Sequence, residues 1–160
     1  VVPGVGAFGG CMEGLHSING AEIIKERNAA GKKTLGICVG MQILFDSSEE
    51  KFNGFEPSGL GLLRGKVSKL SAPVIPHIGW NLVVAASESL LFKGIENERF
   101  YFVHSYAAVE TTSDVKRTTS NYGAQFISAI ESDTISAVQF HPEKSGVAGL
   151  QLLKNWAGNL

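Results

Sequence analysis

Thr34-Leu35-Gly36-Ile37-Cys38-Val39-Gly40-Met41-Gln42 is the stretch on which the fold turns. Leu35 and Ile37 give the signal of a short buried strand, and Met41, Leu44 and Phe45 begin a helical apolar pattern. Cys38 therefore falls at the turn between strand and helix. Gly36 and Gly40 flank it two residues to either side, where a tight turn brings backbone too close for Cβ atoms. The expectation is an exposed, strained thiol at the first turn of a helix, whose unpaired N–H groups and dipole favour the reactive thiolate. A buried structural cysteine beside packing glycines is the alternative for such a residue taken alone.

A cysteine nucleophile needs a base, and Ala137-Val138-Gln139-Phe140-His141-Pro142-Glu143-Lys144 offers one. An apolar strand signal stops at His141, with a carboxylate two residues on. Imidazole can take the thiol proton and later protonate a leaving amine, while Glu143 on the other ring nitrogen fixes the tautomer. Pro142 restrains its own φ and biases His141 towards extended backbone, so the two side chains can be held together. Taken alone, the tripeptide also reads as a strand-ending turn with a solvated glutamate.

The run Val1-Val2-Pro3-Gly4-Val5-Gly6-Ala7-Phe8-Gly9-Gly10 is a strand end leading through a glycine-rich loop into the helical pattern of Met12, Leu15 and Ile18. Backbone N–H groups in such a loop can face a negative charge. An oxyanion hole would combine Val39, the residue after the nucleophile, with Val5 or Gly6. A phosphate cradle fits less well, because neither the Walker spacing nor the dinucleotide fingerprint is present. A plain tight loop is the remaining reading.

These motifs resemble the class I (triad) glutamine amidotransferases, in which a Gly-x-Cys-x-Gly-x-Gln elbow and a His-Pro-Glu segment form the glutaminase site. Within that family, Pro3–Gly9, Gly36–Gln42, Pro76-His77-Ile78-Gly79-Trp80-Asn81 and Tyr101-Phe102-Val103-His104-Ser105-Tyr106 together look like the glutaminase subunits of imidazole glycerol phosphate synthase. The likeness runs in order from Val1 to Trp156. It implies a three-layer α/β fold with a mostly parallel central sheet plus antiparallel strands, and a Cys38-His141-Glu143 triad. It also implies L-glutamine as substrate, no cofactor, and a heterodimer with a cyclase subunit that receives the ammonia. Gln42 by its side chain, and Ser105 and Tyr106 mainly by backbone, are implied to grip the substrate; a helix-surface glutamine and a strand-end hydroxyl pair are the plainer readings. Trp80, Asn81 and Lys144 resemble the docking surface for the cyclase, with a buried core tryptophan as the competing view of Trp80. Glycine on both sides of Val5 makes reorientation of its peptide inexpensive, which would let a partner switch activity. A glutaminase serving another acceptor, as in anthranilate synthase, and a catalytically silent regulatory module are the alternatives. The Trp80 and Tyr106 segments speak against the first, and the intact triad against the second.

Composition agrees. With 160 residues, 44% of them hydrophobic, the chain can bury one sizeable core, so a single domain spanning residues 1–160 is expected. A formal charge of −1 gives no reason to expect nucleic acid or an anionic membrane as partner. Two cysteines, Cys11 and Cys38, support neither a disulfide framework nor a metal site, and Cys11 reads as packing near the start of the first helix. With no apolar run near the roughly 20 residues of a membrane span and no signal peptide, a reducing cytoplasm is expected. The chain opens inside a strand signal without a methionine, which reads as a fragment, and the family resemblance implies that the missing part is an N-terminal strand-helix-strand portion of the sheet.

Along the chain, helical patterning is expected through Met12–Ile18 and Ala21–Ala30, with Gly31 as a stop. The alternation of strand and helix predicts a parallel core with the site at the carboxyl ends of its strands. Residues 46–56 read as a helix end and a solvated acidic loop. The runs 60–70, 75–84, 99–109, 124–130 and 135–140 read as successive strands, some antiparallel. Val147, Leu150, Leu153 and Trp156 are expected to form the core face of a last helix.

Overall fold

The structure, a computed structural model, describes residues 1–160. Its central sheet has five strands: β1 (Val2–Gly4), β2 (Thr34–Cys38), β8 (Lys116–Tyr122), β9 (Ala124–Glu131) and β10 (Ile135–Val138), in the order β1-β2-β10-β9-β8. β1, β2 and β10 run parallel, and β9 and β8 continue the sheet antiparallel. β3 (Phe45–Ser48), β4 (Leu63–Lys69) and β7 (Tyr106–Ala108) form a second sheet, and β5 (His77–Leu82) pairs with β6 (Arg99–His104) as a two-stranded ribbon. The expected α/β class with parallel and antiparallel strands is what the chain builds.

The core divides across the central sheet. On one face, helices α1 (Phe8–Ser17) and α2 (Gly20–Ala29) and the second sheet bury Phe8, Met12, Ile24, Phe45 and Leu63 against Ile127, Ile130 and Ile135. On the other, the ribbon and α4 (Gly146–Ala157) bury Phe92, Phe100, Phe102 and Leu152 against Phe126, Val138 and Phe140. Strand periodicity explains this sharing, because neighbouring side chains point to opposite faces. In β9 the alternation is reset by a bulge where Thr118 and Thr119 oppose Ala129 and Ile127.

Several expectations change. The helix after Cys38 is a single turn, α3 (Val39–Gln42), and Phe45 begins a strand rather than continuing a helical face. Residues 46–56 are not merely solvated. Asp46 accepts hydrogen bonds from Gly65 N–H and Arg64, and Glu50 accepts one from Phe8 N–H at 2.8 Å, supplying the partner that Ala7 cannot give at the start of α1. The run 99–109 divides at Ser105 into β6 and β7, which enter different sheets. On α4 the buried residues are Ala148, Gly149 and Leu152; of the expected face Trp156 packs half-buried against that core and Leu153 is half-buried, while Val147 and Leu150 are exposed. Large apolar side chains suggested the wrong face there, because the close approach to Pro142 selects glycine at position 149.

Candidate active site

The site is assembled by register. Ile37 of β2 lies opposite Val138 of β10, so the next residues, Cys38 at the end of β2 and Gln139 just past β10, sit side by side, and His141 comes two residues later. A cleft of about 320 Å³ at these strand ends is lined by Cys38, Val39, Gln42, His141 and Lys144, by Val5 and Gly6, and by Ser105 and Tyr106. Every residue expected in the triad, the anion hole and the substrate grip lines this cleft, except Glu143, which reaches it through His141.

Cys38 adopts φ 56° and ψ −116°, a strained conformation for a residue with a Cβ, which fits the elbow. The flanking glycines are needed for space. A Cβ on Gly36 would lie 2.7 Å from the Gly40 carbonyl oxygen, and one on Gly4 would lie 2.7 Å from the Gly40 nitrogen. Gly4 is therefore held in β1, and only Gly6, at φ 87° in open space, gives the loop conformational freedom. The thiol is not exposed as the sequence suggests: Cys38 is 4% accessible. Burial pushes it up to about 11, against a backbone hydrogen bond from Val39 and the charge of Lys144. Burial thus works against the expected thiolate preference, because one helical turn carries too little dipole to offset desolvation.

His141 is buried, and its Nδ1 bonds Glu143 Oε1 at 2.7 Å. A carboxylate only accepts, so Nδ1 carries a proton, and in the neutral ring Nε2 presents a lone pair. Nε2 is buried with no partner. The backbone fixes the ring's base, since His141 N–H donates to the Tyr101 carbonyl and Ser145 Oγ donates to the His141 carbonyl while accepting from Tyr101 N–H. Such an unpaired buried nitrogen, on a residue lining the same cleft as a thiol, suits a functional arrangement better than a structural one.

Residues 1–159 match the family described as Glutamine amidotransferase class-I. The chain belongs to that family. Imidazole glycerol phosphate synthase subunit HisH of Mycobacterium bovis is 53% identical over 163 residues, covering all of this chain and 78% of the relative. The HisH subunit of Leifsonia xyli is 49% identical over 167 residues, covering 100% of this chain and 79% of the relative, so within the family the chain groups with the HisH proteins. A solved glutamine amidotransferase shares the fold at TM-score 0.71 and 15% identity, covering 97% of this chain and 77% of that one.

The remaining residues of this amidotransferase site differ from expectation in instructive ways. Gln42 is buried rather than on a helix surface, and its Nε2 donates to Tyr106 O at 2.8 Å and Gln139 Oε1 at 2.9 Å, leaving its own carbonyl oxygen for a ligand. The carbonyls of Ser105 and Tyr106 already accept from Leu70 N–H and Gln42. Trp80 is 53% exposed and edge-on to Tyr101, over whose ring Lys144 Nζ lies at 6.0 Å, so those three share one surface. Asn81 does not share it. Alternation along β5 turns its side chain inward, where it donates to Asn121 O at 2.9 Å. His77 and His104 bond to the fold rather than to the triad: His77 Nδ1 lies 3.1 Å from His104 Nε2, and His104 Nδ1 donates to Tyr106 O. Cys11 is not packing alone, since its thiol donates to the Val5 carbonyl at 3.3 Å. Sequence reasoning missed Ser145 and Gln139. An amide inside the apolar run 137–140 was the available signal for the second.

Proposed function

We propose that this chain hydrolyses L-glutamine to glutamate and ammonia as the amidotransferase subunit of imidazole glycerol phosphate synthase in histidine biosynthesis, passing ammonia to the cyclase subunit. The observation that carries the chemistry is the His141 ring, with Nδ1 held by Glu143 and Nε2 unpaired in the cleft that Cys38 lines. Nε2 takes the thiol proton as sulfur attacks the side-chain amide carbon. The carbonyl oxygen becomes an oxyanion, and His141 returns the proton to the departing nitrogen as the C–N bond breaks. Water, deprotonated at the same nitrogen, then cleaves the thioester to glutamate and free thiol.

The oxyanion requires donors. Val39 N–H is one, and losing such a donor typically costs on the order of 3 kcal/mol of barrier. For the second, the Val5 carbonyl is turned towards Cys11, so in this trans peptide the Gly6 N–H points away from α1. Gly6 is the better fit of the two loop residues. Gln42 Oε1 suits the substrate ammonium, and the N–H groups of Ser105 and Tyr106, rather than their occupied carbonyls, suit its carboxylate.

Trp80, Tyr101 and Lys144 supply the surface for the cyclase, extended by exposed Ile78 and Leu82 on the same face of β5. Asn81 supports that strand from behind. Two free thiols suit a reducing cytoplasm, and no helix is long and apolar enough to cross a membrane.

The test is alkylation with a diazoketone analogue of glutamine, followed by peptide mapping and ammonia-release assays with and without the cyclase subunit. An adduct on Cys38, and loss of ammonia release in Cys38→Ser, are expected. Labelling on Cys11 alone, or unchanged release from Cys38→Ser, would overturn the reading.

A further inference from the structure

We propose that Gln139 is a further functional residue of this cleft, its side-chain amide donating to Cys38 Sγ and favouring the sulfur anion that attacks. Gln139 is fully buried, and its Nε2 lies 3.7 Å from the sulfur, within reach of an N–H···S hydrogen bond. The orientation of the amide follows from its neighbours. The Tyr106 carbonyl can only accept, which assigns the nitrogen of Gln42 to the end facing it. The second proton on that nitrogen then requires an oxygen, which fixes Gln139 Oε1 towards Gln42 and turns Gln139 Nε2 towards sulfur. A backbone carbonyl thus sets, through two side-chain amides, which end of Gln139 the nucleophile meets.

The backbone of Gln139 is equally fixed. Its N–H donates to Ser128 O at 2.9 Å, and the residue directly follows the β10–β2 register that places it beside Cys38. A neutral donor is suited to the task because it stabilises the anion without consuming a proton. Several other charged or titratable groups act on the sulfur or line its cleft. His141, Glu143 and Lys144 come from the turn after β10, Cys11 from α1, Glu50 from the loop after β3 and His104 from β6. Glu143 and Cys11 disfavour the thiolate and Lys144 favours it, so the uncharged amide adds to the weaker side.

The catalytic meaning rests on Cys38 being the nucleophile, but the hydrogen bond is tested without glutamine. Iodoacetamide alkylation of Cys38, followed by peptide mapping across pH, reads thiolate formation in the full chain. Gln139→Met, similar in length and without a donor, is expected to raise the midpoint of that profile by about one to two pH units, the size of a hydrogen bond to an anion. Glutaminase kcat is expected to fall at least tenfold, with KM changing less. Gln139→Glu retains an acceptor for Gln42 and carries the same comparison if the methionine variant fails to fold, again with a raised midpoint. An unchanged midpoint in a folded variant would overturn the proposal. A wild-type profile with the expected shape but no glutaminase activity would instead count against the functional reading.

Discussion

Gly40 stands so close to Val2 that a Cβ on it would lie 1.8 Å from the Val2 carbonyl oxygen. The elbow is therefore seated directly on β1, backbone to backbone, with no flexible side chain to yield. Gly40→Ala is expected to destabilise the fold by about 3 kcal/mol or more, because strand β1 or the elbow must move. Urea denaturation should show it. Gly14→Ala, inside α1 where nothing lies within 4 Å, is the control and should raise the midpoint slightly, because alanine is the better helix former.

Glu143 positions the base through its hydrogen bond to His141. Glu143→Gln keeps the shape but lets the amide present a donor to Nδ1, favouring the tautomer in which Nε2 can no longer accept a proton. A fall in kcat of roughly 10² or more is expected, with little change in KM, read by ammonia release.

Little of this site could have been located from spacing alone, although its chemistry could be named. Cys38, His141 and Glu143 carry recognisable local patterns, and their convergence depends on β2 and β10 pairing across about a hundred residues. The glycine requirement at the elbow was legible because steric crowding in a tight turn is local. Burial of the thiol was not, since walls contributed by β6, β7 and the loop after β1 are tertiary. Strand β8 went unread for a related reason. Lys116–Tyr122 is polar and β-branched without apolar alternation, and it forms only because β9 offers a paired edge. In α4, small residues that permit close packing outweighed the larger apolar ones.

The His77–His104 pair makes stability depend on pH. Burial holds both imidazoles down at about 4 from an ordinary 6.5, with His77 stacked between Phe102 and Tyr122. An unfolded chain takes up these protons below about 6.5, whereas the folded one resists until about 4. Protonation thus favours unfolding. The contribution is complete above 6.5 and is lost as pH falls towards 4. Urea midpoints measured from pH 7.5 to pH 4.5 should decline, and more shallowly in a His77→Gln/His104→Gln double variant than in wild type.

Trp80 is half exposed and braced by Tyr101, an arrangement that suits an anchor for a partner. Trp80→Ala is expected to weaken binding of the cyclase subunit by about 2 kcal/mol, roughly thirtyfold in Kd, measured by calorimetry. Its own unfolding midpoint should barely move.

β10 has hydrogen-bonded strands along both edges, while the outer edge of β8 is bridged only at Thr119, by Val84. Deuterium from solvent should reach the amides of β10 last, after those of β8 have exchanged. Because sulfur and imidazole hang from the ends of β2 and β10, gentle warming that frays only the β8 edge leaves the distance between the reacting pair preserved. Turnover should therefore persist almost to the melting temperature and then vanish together with the sheet.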